Sequence, residues 1–451
     1  MPYRFSRTRG APLFRAQKDP SSYRILLWMF LILAGLWMLM QLQRDDGAVK
    51  PLFLPTPTPT RTANSFLLEA QAYFQAGSID DPNSEQDAIG AYQRAIALEP
   101  NNVQAHVELA RLLTYSSSLL PTVEERRARL QEARTYIEQA LTLAPDNSTV
   151  HAVYAFVLDW NASLAPTAEE RQNLLGEAEQ AASQALLLNP DDPMALTFYA
   201  EIQADLQRWA DAREHVERAI AMAPDLMDAY RVYGYVLEAV GEYNAAIEQY
   251  VKASEITPNL TFLYISIGLN YRTLAQKATT KRVADLLYEN ALDAFDRAAT
   301  INEALGIRSP LPYIQIAKTY SQQGQFFVAA RNAEKALKYD PTDANTYGQL
   351  GIIYVKSRNF EGALPVLKCA VLGCSAAENK EATGNEVAIT PLPLSSESVA
   401  YYYLQYASVL AALDMCSDAI PVLEQVNQVY PENPIMQSII QEDYAICNLS
   451  R

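Results

Sequence analysis

Four cysteines, three histidines and several acid pairs are the side chains of this 451-residue sequence with chemistry to offer. Cys369, Cys374, Cys416 and Cys447 all lie in the last quarter. An even number of cysteines in an exported region suggests disulfides, and four cysteines allow three connectivities. Zinc is the competing use, but C-x4-C followed by two distant cysteines departs from the C-x2-C pairs of zinc modules. His106, His151 and His215 lie far apart without a fixed partner, so they read as helix-surface or packing residues. Glu124–Glu125 and Glu169–Glu170 fall in helix first turns, where carboxylates complement the helix dipole. The sequence holds no GxxxxGK[ST], no GxGxxG behind a strand, no HExxH and no GxSxG. It reads as a non-catalytic chain with no cofactor and no resident metal. Four N-x-[ST] sequons (Asn147, Asn161, Asn259, Asn448) carry meaning only in a glycosylating compartment.

In the bulk composition, 36 Lys+Arg stand against 52 Asp+Glu, a formal charge of −16. That balance argues against nucleic acid as the main partner, because phosphate binding needs a basic surface. Hydrophobic residues make up 49% of the chain, enough to fold, and only 16 are glycine. Few glycines disfavour phosphate-cradling loops and a sheet with many tight turns.

The N-terminus reads as a membrane anchor. Residues 1–24 carry six basic side chains and one acid, Asp19. An uncharged run follows over residues 25–42, with Trp28 and Trp37 towards its ends. Its length as a helix, about 27 Å, approaches the hydrocarbon thickness of a bilayer, and tryptophan favours the headgroup region. A cleaved signal peptide would have a shorter apolar core and a small-x-small site, and MLMQLQRDD offers none. The basic flank places the N-terminus in the cytoplasm and the rest outside. Residues 43–64 form a spacer whose alternating prolines, PLFLPTPTPTRT, favour extended backbone.

From residue 65 apolar residues recur at three- and four-residue spacing, with many alanines, which predicts helix throughout. The phrase Ala-x-x-x-x-Pro returns, ending at Pro100, Pro145, Pro190, Pro224, Pro258 and Pro341. Successive intervals over the first five are 45, 45, 34 and 34 residues. Each unit reads as two antiparallel helices; small residues let them pack closely, and proline ends the second. Three units are longer by 11 residues between the helices. Two of those inserts are alike, SLLPTVEER and SLAPTAEER, and Thr122 with Glu125 and Thr167 with Glu170 fit capping boxes. We read the inserts as lengthened second helices from duplicated units, with a partner-binding ridge as the competing reading. A polar excess over 377–398 reads as a surface loop.

The spacing resembles the tetratricopeptide repeat. In the unit ending at Pro258 the matching residues are Tyr233, Gly234, Leu237, Ala246, Tyr250 and Ala253. In the next clear unit they are Ile316, Ala317, Tyr320, Gly324, Ala329 and Ala336. Nine units are counted over residues 65–433, with a capping helix over 434–451. The resemblance implies an all-α, right-handed α-solenoid whose first helices line a concave groove. Carried over by phase, the groove residues are Phe156, Trp160, Arg231, Tyr235, Phe262, Leu269, Arg272 and Lys318. Aromatics with arginine suit a protein or peptide partner. The inner position that carries Asn in the carboxylate clamp of chaperone-binding members holds no Asn here, so a chaperone tail is unsupported. The same phase puts Cys416 and Cys447 at one edge of the solenoid and Cys369 and Cys374 at the other, which implies pairs 416–447 and 369–374. The functional expectation is a membrane-anchored scaffold for envelope or surface assembly. The alternative is a positioning subunit of an envelope enzyme of polysaccharide or cell-wall synthesis.

Overall fold

A computed structural model describes residues 21–42, 61–81, 84 and 86–447. The expected basic tail over 1–20, the spacer over 43–60 and Asn448 lie outside the described residues. The chain divides into two compact units, Met1–Arg61 and Thr62–Arg451. In the first, helix α1 (Ser22–Leu42) begins three residues before the uncharged run. Its Ser22–Met40 stretch is long and apolar enough to cross a membrane. Trp28 and Trp37 are about two-thirds exposed, at 66% and 64%.

Among its described residues, the second unit has helices as its only regular elements apart from one isolated bridge. Nine helix pairs run in order among the described residues. The first three are α2 (Ala63–Gln75) with α3 (Ala88–Leu98), α4 (Val103–Ser117) with α5 (Val123–Leu143), and α6 (Ser148–Ser163) with α7 (Ala168–Leu188). Next come α8 (Pro193–Asp205) with α9 (Trp209–Met222), α10 (Met227–Ala239) with α11 (Tyr243–Ile256), and α12 (Thr261–Lys277) with α13 (Lys281–Ala304). Then follow α14 (Leu311–Gln322) with α15 (Phe326–Tyr339), and α16 (Ala344–Lys356) with α17 (Phe360–Val371). A short α18 (Ala376–Thr383) precedes the ninth pair, α19 (Glu397–Ala412) with α20 (Cys416–Val429), and α21 (Pro434–Ile446) closes the array.

The recurring proline explains the punctuation. Proline cannot continue the hydrogen-bond ladder of a second helix, and two residues later a side-chain cap starts the next first helix. Asn102, Asn147, Asp192, Asp343 and Asn433 all cap in this way, each satisfying free N–H groups of a helix start. Leu226 and Leu260 hold the same position without a cap. Leu260 is buried at 2% exposure.

Within a pair, a small residue on the first helix faces a large one on the second. A Cβ on Gly234 would lie 2.8 Å from the Tyr250 ring, and one on Gly268 would lie 2.4 Å from that of Phe295. Glycine therefore sets how closely these helices approach. The three 11-residue inserts extend second helices: α5 and α7 have 21 residues and α13 has 24, against 14 in α9 and α11. The capping box closes in both directions at Thr122, and the Thr167 hydroxyl accepts from Glu170 N at 3.1 Å.

The excess before the ninth pair lies at the surface, with only Asn379 and Ile389 of 377–398 buried, but it is built rather than loose. It contains α18, capped by a Ser375–Glu378 box. Asn379 is fully buried and donates to Val387 O at 2.8 Å. Ile389 and Cys374 exchange both backbone hydrogen bonds, and Leu392 N donates to Ala370 O at 2.9 Å. The segment's few apolar residues are spaced to fold back onto α17 and α19, so its polar average conceals a small core.

The array also turns back on itself. Asn259 Nδ2 donates to Ala76 O, 183 residues away, at 2.8 Å. Beside it, a Cβ on Gly77 would stand 2.3 Å from that of Asn259, so only glycine lets these two turns touch. The first pair thereby rests against the junction of the fifth and sixth.

Candidate functional site

The first helices of the second to sixth pairs bring their inner faces together around two arginines. Arg111 and Tyr115 lie one turn apart on α4. Arg111 Nη1 donates to Asp228 Oδ2 on α10 at 2.8 Å, and the Tyr115 hydroxyl donates to Asp228 Oδ1. Glu108 takes the remaining Arg111 donors at 3.1 and 2.7 Å. One turn beyond Asp228, Arg231 meets Glu201 of α8 through two parallel bonds of 2.7 and 2.5 Å. Such bidentate pairing fixes both side chains in one plane.

Aromatic rings fill the space between the charges. The Arg231 guanidinium lies 5.5 Å from the Tyr115 and Phe156 centroids and 5.8 Å from that of Trp160. Phe262 of α12 stacks on Tyr115 at 5.3 Å, and Phe198 stacks on Phe156 at 4.3 Å. Trp160 Nε1 donates to Glu201 Oε1 at 3.2 Å. Burial opposes the charge on both arginines. Asp228 and Glu108 outweigh it at Arg111, as does Glu201 at Arg231, so both stay firmly protonated. At the half-buried margin, the Tyr235 hydroxyl donates to Asp205. Burial, then the neighbouring charges of Asp205 and Glu201, push the Asp159 carboxyl well up.

The open groove expected from the repeat phase is therefore closed here. Phe156 and Arg231, at 1% and 7% exposure, are interior residues and do not face a partner. Trp160, Tyr235 and Phe262 are half-buried and committed to the same network. The physical reason is curvature: the array turns tightly enough that facing inner residues touch before a ligand could enter. Arg111, Tyr115, Glu201 and Asp228 complete this network and were missed as site residues. The available signal was opposite charge at inner positions of different units: Arg111 and Arg231 against Glu201 and Asp228.

The three remaining groove residues lie further along the array. Leu269 packs with the cluster around Ile265 and Phe295. Arg272 sits 5.6 Å from the Phe295 centroid and donates to Gln315 O at 3.3 Å. Lys318 follows one turn along α14. Burial pushes the Lys318 ammonium down and the Arg272 charge pushes it further, with Asp343 opposing. Burial also lowers Arg272. Among the described residues neither cation forms an ion pair.

Cys369, in the last turn of α17, lies 2.04 Å from Cys374 between sulfurs, with Cα atoms 4.7 Å apart. Cys416 at the start of α20 meets Cys447 after α21, with Cα atoms 5.7 Å apart. All three histidines bond backbone carbonyls: His106 to Pro100 O, His151 to Pro145 O and His215 to Asp211 O. No group of three or more His, Cys, Asp or Glu among the described residues is placed to hold a metal ion.

A profile of the family described as "Regulator of microtubule dynamics protein 1-3" matches residues 67–200, and a tetratricopeptide repeat profile matches residues 204–260. No curated protein matches the chain. Among solved structures, an IFIT1 monomeric mutant with m7Gppp-AAAA is 17% identical, covers 94% of this chain and 88% of its own, and superposes with a TM-score of 0.53. A human IFIT1 dimer with m7Gppp-AAAA is 16% identical over 84% of this chain and 91% of its own, with a TM-score of 0.48. TTC0263, a thermophilic tetratricopeptide repeat protein of Thermus thermophilus, is 20% identical over 41% of this chain and 92% of its own, with a TM-score of 0.34. At these identities the likeness is one of fold.

Proposed function

We propose that this chain, which belongs to the tetratricopeptide repeat family, is a non-catalytic scaffold anchored in a membrane through α1. It binds acidic segments of envelope or surface proteins along the inner face of its later units. The family scaffold serves protein–protein contact. The observation that carries the finer reading is the convergence of Arg272 and Lys318, half-buried and, among the described residues, in no ion pair, with Asp343 as the carboxylate acting on Lys318 from beyond ion-pair range. Two cations in a partly desolvated place gain most from an incoming carboxylate. The rest of the chain cannot offer a general welcome to anions, because its formal charge is −16. That charge also supports leaving nucleic acid out of the partner set, and the m7Gppp-AAAA of the IFIT1 structures speaks for those proteins only.

The extracytoplasmic placement of the repeats rests on the basic residues ahead of α1, and the proximity of both cysteine pairs supports it. The test is photo-crosslinking in intact cells, with p-benzoylphenylalanine at residue 269 or 318 and, as an outer-face control, at residue 214. Adducts with discrete exported proteins from the two inner positions, and not from the control, are expected. Adducts with cytoplasmic proteins would overturn the placement, and inner positions no more productive than the control would overturn the binding face.

A further inference from the structure

The return of the array on itself leaves a cleft of about 830 Å³ where the turn between α4 and α5 faces the turn between α13 and α14 and the end of α15. One wall is Leu119, Leu120 and Pro121; the other is Ile307 with Tyr339. The first wall is held in place: Arg126 Nε donates to Leu120 O at 2.8 Å and its Nη2 to Pro121 O at 3.1 Å. The second is a tight turn closed by Ile307 N to Asn302 O at 2.8 Å. Neither wall needs reordering to receive a ligand, which removes an entropic cost of binding.

The three acids of the cleft are matched in number by Arg129, Arg308 and Lys338, but the two signs are differently placed. The acids are all engaged. Asp80 accepts from Arg129 at 2.5 Å and from Ser116 at 2.8 Å. Glu125 is held by Thr122 in the capping box. Glu303 binds Lys335 at 2.7 Å and the Tyr313 hydroxyl. Arg308 and Lys338 also line the cleft and are exposed. Among the described residues neither has an ion pair or a side-chain hydrogen bond. The cleft thus presents an apolar floor beside two uncommitted cations.

We propose that this cleft docks an acidic segment of a partner protein, an aliphatic or aromatic side chain entering between Leu120 and Tyr339 while flanking carboxylates meet Arg308 and Lys338. This proposal rests on the reading of the chain as a protein-binding scaffold and adds a second contact outside the inner face. Charge complementarity selects the occupant. A basic segment would be drawn to the strongly acidic remainder of the chain, whereas an acidic one is repelled elsewhere and finds here two cations that no carboxylate has claimed.

The test uses the full chain in detergent micelles as bait for a phage-displayed library of random nonapeptides. Parallel selections use Arg308→Glu/Lys338→Glu and, as a control of equal chemistry on the same helix, Arg331→Glu. All substituted positions are exposed, and circular dichroism checks that each variant keeps its helix content. Peptides from the unsubstituted protein are expected to pair Asp or Glu with Leu, Ile or Phe. They should lose at least about tenfold in affinity on the double reversal and about twofold or less on the control. Selected peptides without acidic enrichment, or peptides that bind the double reversal equally well, overturn the cleft and leave the scaffold reading standing. No enrichment at all also overturns the cleft. Only failure of inner-face crosslinking as well would bring down the scaffold reading.

Discussion

Removing one partner of the Arg111–Asp228 pair should loosen the whole first turn of the array. The side chains are 9% and 1% exposed, and the residues are 117 positions apart. Breaking a buried ion pair by deleting one member costs about 3–5 kcal/mol, because the other charge is left in a poor environment. Arg111→Met should fall near about 3 kcal/mol, since Asp228 keeps the Tyr115 hydroxyl. Asp228→Leu strands both Arg111, which keeps Glu108, and the Tyr115 hydroxyl, adding about 1 kcal/mol for the lost hydrogen bond. The double variant removes both charges and should cost little beyond the unpaired Tyr115. The two singles together cost about 7 kcal/mol against about 1 kcal/mol for the double, so a coupling of about 6 kcal/mol is expected. Urea unfolding of the detergent-solubilised chain, followed by circular dichroism, measures it. Each single variant should also lower the dependence of unfolding free energy on urea, as the array breaks into smaller cooperative pieces. Single costs under about 0.5 kcal/mol that simply add would refute the closed turn as a source of stability.

Burial pushes the Asp443 carboxyl of the closing helix up to about 6, against a hydrogen bond from Ser408 that lowers it. Its folded value lies above the unfolded one, so its contribution to stability is whole below about pH 4 and is lost as pH rises through about 6; in thermal melts Asp443→Asn should remove that loss and stabilise the protein at pH 7 by about 1–2 kcal/mol after solvent screening. Gly268→Ala should cost about 1–3 kcal/mol in chemical denaturation because its Cβ meets the Phe295 ring. By contrast Gly176→Ala, in an exposed and open part of α7, should stabilise by about 0.5–1 kcal/mol. If the sulfurs of Cys416 and Cys447 are oxidised in the native protein, opening that 31-residue loop should cost about 3–4 kcal/mol against about 2 kcal/mol for the five-residue loop of Cys369 and Cys374; hydrogen exchange after reduction should rise first in α21, and equal exchange there with and without reductant would contradict this.

The repeated helix pairs are readable in the sequence because the information is local. Proline followed two residues later by Asn or Asp ends one helix and caps the next, and Gly234 opposite Tyr250 sets a crossing within a single unit. The tight curvature is not readable. It accumulates from small rotations between neighbours, so nothing near Arg111 announces that Asp228 will arrive beside it. Phase finds the inner positions, yet phase alone does not distinguish a face that meets solvent from one that meets itself. The insert before α19 misleads for a similar reason: Val387, Ile389 and Leu392 are too few to raise its average hydrophobicity, but they are placed to pack.

The closed turn has a consequence for how such a chain can change over generations. An open array can gain or lose whole repeats, because each unit greets only its neighbours. Here the second unit must arrive opposite the fifth, and the second and third, despite their near-identical inserts, are no longer copies at the contact. Arg111 and Tyr115 in one stand where Phe156 and Trp160 stand in the other. Recombination between the two would delete 45 residues cleanly in sequence and still leave Asp228 facing the wrong side chain. The number of repeats between residues 111 and 228 is thereby locked, while the units after the sixth, which contribute nothing to the Arg111–Asp228 network, stay free of that constraint.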